Sequence, residues 1–518
     1  MTKIVMGNVL SKLDTDRATL RIVRHHVAYR QRLMPPIEAQ KLIKGFFSKH
    51  RRYGSGDIAR LFADGSMCEQ LEALGVTHET LTRQQFESTL RQRGVWDGWV
   101  RIVDSDGTFP TGLLRHVQRA LELRAGGIVA TLEDSRSIPL RGQPWGDVDL
   151  YDYQREAVEA FISAGRGVVN LPPRSGKTRI AVAVAAALGV PTIYIAPTVG
   201  VVEQTAKVFS ELLPNKATIG LHSGLSPSAR NHRKLLGAAV IVTTPKTALK
   251  IPNPHSRLLL VIDEFHHAAA KTWKQASEAF SSAYWRLGLT GTHFRADGKD
   301  LEMAGVLGRA IYSRSVGDMV ELGRLVPARI AMLRVRGDLK AVGYDIYKSG
   351  IVEHTTRNEA LAAAANLLIR DCRRVLVLTK EISHAQRLSR MIPGSEPVDG
   401  RDNDRVTAML DALADGSVKA VVGTSVIGEG RDVPAADALV YASGGQSKVK
   451  VVQDYFRALT ASEGKQTAIV VDVADSHHPT LLDHAARRLQ HYRGEKAFDA
   501  EVLEVGDFEQ WIGDNRTF

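Results

Sequence analysis

The run Pro172-Pro173-Arg174-Ser175-Gly176-Lys177-Thr178 follows an apolar segment, Gly167-Val168-Val169-Asn170-Leu171, and precedes an alanine-rich stretch. A strand that enters a helix through such a loop aims backbone N–H groups at phosphate oxygens. Arg174, Ser175 and Gly176 would line the phosphates, Lys177 would bring a point charge to the β- and γ-phosphates, and Thr178 a hydroxyl ligand for Mg2+. Further on, the apolar run Leu258–Ile262 ends in Asp263-Glu264-Phe265-His266, so two carboxylates leave a strand at its carboxyl end. Asp263 can hold the metal, and Glu264 can orient or deprotonate an attacking water. The two runs together predict hydrolysis of a nucleoside triphosphate, with Lys177, Asp263 and Glu264 as catalytic residues. Tyr153-Gln154 stands just upstream of the loop, and the amide of Gln154 offers both a donor and an acceptor.

These residues need a scaffold that places strand ends side by side. From Val148 to Arg309 short apolar runs (191–197, 238–244, 258–263 and 286–291) alternate with helical stretches, the pattern of a parallel sheet covered by helices. A second series follows (329–335, 374–379, 418–424, 436–443 and 466–473) without a Gly-Lys-Thr loop of its own. Two consecutive α/β blocks, of which the first alone carries a phosphate loop, are expected to share one nucleotide. Residues 124–148, rich in Gly, Pro and Ser, suggest a linker behind a separate N-terminal unit. The expected division is 1–124 for a small α+β domain that binds nucleic acid, 125–147 for the linker, 148–315 and 316–475 for the two blocks, and 476–518 for a C-terminal extension.

Bulk properties narrow the class. With 44% hydrophobic and 24% charged residues the chain lies in the ordinary globular range, and it has no apolar run long enough to span a bilayer. Its two cysteines, Cys68 and Cys372, lack metal-ligand spacing and fit reduced thiols of the cytoplasm. The net charge is +11, and residues 1–60 hold 13 Lys or Arg against 4 Asp or Glu. A basic end of this kind suits a polyanion, whose released counterions drive binding.

The order of short motifs resembles the superfamily 2 helicases and translocases over about residues 150–475. Ile195-Ala196-Pro197-Thr198 and Thr243-Thr244-Pro245 resemble the strand-end motifs that touch a nucleic-acid backbone, and Asp263-Glu264-Phe265-His266 the DExH motif. Leu289-Thr290-Gly291-Thr292 is similar to motif III and Leu376-Val377-Leu378-Thr379-Lys380 to motif IV. Gly423-Thr424-Ser425 with Gly428-Glu429-Gly430-Arg431-Asp432-Val433-Pro434 resembles motif V, and Gln453-Asp454-Tyr455-Phe456-Arg457 motif VI. In the N-terminal unit, Trp96-Asp97-Gly98-Trp99-Val100-Arg101 and Phe109-Pro110-Thr111-Gly112-Leu113-Leu114 resemble the bacteriophage UvsW family of branched-DNA helicases, as does the helix pattern Arg488-Leu489-Gln490-His491-Tyr492.

The resemblance implies an α/β fold of tandem RecA-like parallel-sheet domains with a small α+β N-terminal domain, ATP and Mg2+ as cofactors, and ATP-dependent remodelling of duplex or branched DNA, independent of sequence, in recombination, repair or replication. It implies nucleotide contacts at Tyr153, Gln154, Gly430 and Asp432, catalytic roles for Gln453 and Arg457, and nucleic-acid contacts at Pro197, Thr198, Thr243, Thr244, Thr379, Thr424 and Arg101. DNA is favoured over RNA by the N-terminal likeness, and a monomer without membrane contact is expected. Two departures stand out. Arg174 occupies a position that is usually glycine, and Thr460 stands where the second arginine of motif VI belongs. Arg457 then serves alone, another arginine substitutes, or turnover is slow. The alternatives are a nucleotide-gated DNA-binding protein with weak ATPase activity, or the motor of a larger DNA-processing or defence complex.

Overall fold

A computed structural model of the chain describes residues 4–7, 17–20, 30–32, 67, 69–71, 99–101, 108–114, 130–133, 139–221, 237–265, 271–291, 300–341, 344–371, 373–399, 402–424, 436–445, 448–462 and 464–514. The chain divides into two compact units: residues Met1–Leu171 with Gly176–Ser313, and Pro172–Ser175 with Arg314–Phe518.

In the first unit, strands β1 (Ile4–Gly7), β2 (Arg17–Leu20), β3 (Arg30–Arg32), β4 (Trp99–Arg101), β5 (Thr108–Pro110) and β6 (Ala130–Glu133) form a four-stranded sheet in the order β5-β2-β1-β6 and a separate β3-β4 pair. β6 pairs in parallel with β1, so part of the expected linker is a strand of the N-terminal sheet.

The same unit then builds a seven-stranded sheet from β7 (Arg166–Asn170), β8 (Thr192–Ile195), β9 (Thr218–Leu221), β10 (Val240–Thr243), β11 (Leu259–Ile262), β12 (Trp285–Thr290) and β13 (Ala310–Ser313). Its order is β13-β7-β12-β11-β8-β10-β9, and every pairing is parallel. The inner strands β8, β10 and β11 are buried along their whole length. Their β-branched and aliphatic sequences suit a sheet covered on both faces. Helices α1 (Asp152–Ala164), α2 (Lys177–Leu188), α3 (Val199–Leu212) and α4 (Asp300–Leu307) belong to this unit. Under the sheet's carboxyl edge Val168, Ile195, Ile262, Phe265 and Leu307 share one apolar cluster.

The second unit repeats the design with β14 (Ala328–Val335), β15 (Val375–Thr379), β16 (Ser395–Val398), β17 (Ala420–Thr424), β18 (Ala438–Tyr441), β19 (Ala468–Asp475) and β20 (Phe498–Glu504), ordered β16-β17-β15-β18-β19-β14-β20 and again all parallel. Helices α5 (Thr355–Arg370), α6 (Lys448–Leu459) and α7 (Pro479–Arg493) belong to it. Residues 476–518, expected as an extension, contribute α7 and the edge strand β20, which pairs with β14 over seven residues. The α/β class with tandem RecA-like sheets therefore holds.

Candidate active site

The phosphate loop joins β7 to α2, and its geometry departs from ordinary backbone twice. Arg174 has φ +70° and Gly176 φ +73°. Gly176 is doubly constrained: a Cβ there would meet Gln154 Nε2 at 2.3 Å. Arg174 adopts the left-handed region in spite of its side chain, at a steric cost of about 1–2 kcal/mol. Strain of this kind survives where surrounding structure imposes it. The Lys177 ammonium donates to Leu171 O at 3.1 Å, back across the loop, and Leu171 N donates to Thr290 O at 3.0 Å, which ties the loop to the motif III strand β12.

β11 delivers the carboxylates. Asp263 N donates to Ile195 O at 2.9 Å, and Asp263 Oδ1 accepts from Glu264 N at 2.9 Å. Glu264 has φ +45°, a second strained non-glycine residue. Asp263 is only 9% exposed. Burial, and then the neighbouring Glu264 charge, push its carboxyl up to about 6, against the opposing pull of Lys177. Lys177 is itself lowered by burial, while Glu264 and Asp263 act to raise it. Lys177, Asp263 and Glu264, read from distant parts of the sequence, are thus brought within electrostatic reach of one another.

Tyr194 on β8 is a site residue that the motifs do not mark. It is fully buried, and its hydroxyl lies beside Asp263 and Thr178 without strict hydrogen-bond geometry to either. Burial and the Asp263 charge hold the phenol well above its ordinary range. Its place two residues before Ala196-Pro197-Thr198 was the available signal, but an aromatic within an apolar strand looks like core.

Gln154 is 2% exposed, and its amide is engaged locally: Oε1 accepts from Tyr151 N at 3.1 Å and Nε2 donates to the Tyr153 hydroxyl at 3.3 Å. The first of these contacts caps the start of α1. Tyr153 is buried, while Tyr151 is exposed and stacks on it with ring centroids 6.0 Å apart.

The strand-end residues divide by exposure. β8 and β10 bring Pro197–Thr198 and Thr243–Thr244 together, with Ala196 N donating to Thr243 O at 2.8 Å. Thr243 is buried, Thr198 caps α3 by accepting from Val201 N at 3.4 Å, and Thr244 Oγ1 donates to Thr247 Oγ1 at 3.1 Å. In the second unit Thr379 lies directly across from Thr424. The Thr379 hydroxyl is buried and donates to Glu381 O at 3.0 Å, with Gly423 O at 3.3 Å as its alternative acceptor. These hydroxyls hold strand ends and helix starts.

Arg457, on α6, is 7% exposed, with Asp454 Oδ1 3.6 Å from Nη2. Thr460, directly after α6, forms an isolated antiparallel bridge with Leu325, and its Oγ1 has no hydrogen-bond partner among the described residues. The loop tip Pro172–Ser175 groups with this unit. Arg174 is pushed down to about 10, by burial first and then by the Arg457 charge. Gly430 and Asp432 lie outside the described residues. Gln453 is placed on α6 and Arg101 on β4, where its backbone pairs with Arg30. The described residues hold no cluster of three metal-ligating side chains. Thr178 with Asp263 is instead a sparse, hard-oxygen donor set, which fits a Mg2+ ion that arrives with phosphates and keeps most of its waters.

Residues 147–295 match the family model of the type III restriction enzyme res subunit. The chain is 23% identical over 368 residues to the DNA 3'-5' translocase XPB2 of Sulfurisphaera tokodaii, covering 63% of this chain and 81% of that protein. It is 22% identical over 455 residues to the ATP-dependent DNA helicase uvsW of Enterobacteria phage T4, covering 78% of this chain and 89% of that one. Among solved structures, the DNA-bound ATP-dependent Type ISP restriction-modification enzyme LlaBIII matches with a TM-score of 0.52 at 15% identity, over 70% of this chain and 32% of that chain, a likeness of fold. Residues 147–295 therefore match a type III restriction enzyme res-subunit domain, and over most of its length the chain is similar to the uvsW helicase and the XPB2 translocase.

Proposed function

We propose that the protein is an ATP-dependent DNA helicase or translocase that remodels duplex or branched DNA without reading its sequence. One observation carries the reading: the loop lysine, Lys177, and the carboxylate pair Asp263–Glu264 converge at the carboxyl edge of one parallel sheet, close enough to shift each other's charge. Backbone N–H groups at the start of α2, with Ser175, Gly176 and Lys177, bind the phosphates of ATP. Thr178 and Asp263 would hold Mg2+, which neutralises charge on the β- and γ-phosphates when bound. Glu264 orients the attacking water and takes its proton. Arg457, with Gln453 on the same helix, meets the charge that develops on the transferred phosphoryl group. The Tyr194 hydroxyl stands beside both Asp263 and Thr178. Tyr151, exposed and stacked on Tyr153, is the better placed aromatic for adenine, because the amide of Gln154 is already engaged.

DNA is gripped through its phosphates at the strand ends after β8, β10, β15 and β17. Most of the threonine hydroxyls there are committed internally, so backbone N–H groups, such as those at the start of α3, make the contacts. The basic N-terminal residues, Arg101 among them, add non-specific affinity. The protein acts as a monomer in the cytoplasm of a bacterial or phage-infected cell. No described helix is long and apolar enough to cross a membrane.

The test is ATP turnover with single-stranded, duplex and branched DNA and with RNA. Stimulation should be greatest with duplex or branched DNA, and it should vanish in Lys177→Ala and Glu264→Gln. Full activity in either variant, or stimulation by RNA alone, refutes the reading. Thr460 favours one alternative, a nucleotide-gated clamp. Near-zero turnover combined with tight, ATP-dependent binding to duplex DNA would establish the clamp instead.

A further inference from the structure

β19 buries two carboxylates completely: Asp472 is 0% and Asp475 1% exposed. A charge this deep persists only when paired and hydrogen-bonded. Arg488 of α7 grips Asp472 with both arms of its fork, Nε to Oδ2 at 2.8 Å and Nη2 to Oδ1 at 3.0 Å. Arg357 of α5 donates Nε to Asp475 Oδ1 at 2.8 Å. Each guanidinium also donates through Nη1, and both of these bonds go to the same piece of backbone. Arg357 Nη1 donates to Ala442 O at 3.0 Å, and Arg488 Nη1 to Gly445 O at 2.6 Å. Between them the Tyr441 hydroxyl donates to Gly444 O at 3.1 Å, and Ser443 Oγ to Leu378 O at 3.2 Å. The carbonyls of residues 442, 444 and 445, which lead from β18 towards α6, are therefore each held by a buried side chain.

The helix itself is held from the same centre. Tyr455 on α6 donates its hydroxyl to Asp472 Oδ2 at 3.2 Å, Tyr492 on α7 donates to the same oxygen at 2.6 Å, and the two hydroxyls touch each other. Arg457 lies two residues beyond Tyr455 on that helix, itself almost fully buried. Apolar residues of like volume commonly replace a buried ion-pair network without loss of stability. What apolar packing cannot supply is directional bonding that fixes a loop and a helix in one register. This chain has a use for that, since Thr460 leaves the helix without its second arginine.

We infer that Arg488 and Tyr492, on the C-terminal helix α7, are positioning residues for Arg457, acting through Asp472 on the backbone of 442–445 and on Tyr455. The inference rests on the proposed role of Arg457, and it makes residues 476–518 part of the ATPase.

The experiment compares the full-length protein with Tyr492→Phe, Arg488→Lys, Arg457→Ala and the double variant Arg488→Lys/Arg457→Ala. Turnover is measured at saturating duplex DNA, together with the affinity for a fluorescent ATP analogue. Amide hydrogen exchange over residues 442–459 is followed in nucleotide-free protein. Tyr492→Phe and Arg488→Lys should each lower kcat about tenfold, as expected for a displaced catalytic group. Nucleotide affinity should stay within about twofold. Exchange over 442–459 should quicken in both. In the Arg457→Ala background Arg488→Lys should lower kcat by less than about twofold further, because the arginine it positions is gone. An equal fold-loss in both backgrounds overturns the inference, as does unchanged kcat or unchanged exchange in Tyr492→Phe, which removes one hydroxyl and carries the test if Arg488→Lys fails to fold. Full turnover in Arg457→Ala would refute the role of Arg457 itself, and the inference with it. Loss there with normal Tyr492→Phe turnover refutes the inference alone.

Discussion

Asp263→Asn should stabilise the metal- and nucleotide-free protein while abolishing hydrolysis. The carboxyl is displaced from an ordinary 3.8 to about 6, chiefly by burial and secondarily by Glu264. A displacement of about two units corresponds to about 3 kcal/mol between its protonated and ionised forms. Because the folded value is the higher one, the ionised form weakens the fold. Below about pH 3 the group is protonated in both the folded and unfolded chain and contributes nothing. The penalty grows as the unfolded chain ionises, and it is complete above about pH 6. Asparagine removes the charge but keeps an oxygen for the Glu264 N–H, which now donates to Asp263 Oδ1 at 2.9 Å. The variant should therefore gain about 3 kcal/mol at pH 8 and about half of that at pH 5. Chemical denaturation in EDTA at the two pH values measures both, and turnover with duplex DNA measures the loss. A variant no more stable than the parent at pH 8, or a gain that fails to shrink at pH 5, would refute the account of Asp263 as a destabilised, functionally retained charge. Addition of MgATP should close the gap, since binding to the native state stabilises the parent and not the variant.

Two further perturbations test the loop and the N-terminal module. Arg174→Gly relieves a φ of +70° but adds unfolded-chain entropy. The two effects are each about 1 kcal/mol and opposed, so the denaturation midpoint should hardly move. Nucleotide affinity should fall, and a tighter-binding variant would contradict a phosphate-facing role. Gly112→Val should detach the 3₁₀ turn Thr111–Leu113 from α4, because a Cβ at 112 would lie 2.1 Å from Ala304 O and 2.7 Å from Gly305 O. Exposing Leu113, now 1% accessible, costs about 1.5–3 kcal/mol of docking. Limited proteolysis should release the N-terminal module faster than in the parent; an unchanged digestion pattern would show that this contact does not hold it.

The phosphate loop and the carboxylate pair were legible because their chemistry demands particular residue types adjacent in the chain. The inner strands were legible because burial on both faces writes an unbroken apolar run, as in Leu259–Ile262. Within the two seven-stranded sheets the four strands that went unread, β9, β13, β16 and β20, are all edges. β13, β16 and β20 are largely half-exposed, and β16 carries Pro397, which an edge tolerates. An edge strand is defined by the neighbour it pairs with, and that neighbour is set by topology: β20 reaches β14, and β13 reaches β7.

The same division holds at the site. Sequence by itself determined that this chain has a nucleotide-hydrolysing loop, a carboxylate pair and two α/β blocks, since each is written in consecutive residues. Tertiary structure alone decided that Gln154 spends its amide on a helix cap, that Tyr194 stands beside Asp263, and that Asp475 meets Arg357 across 118 residues of chain. A buried polar group must find its partner wherever the fold brings one, and no local pattern records which residue that is.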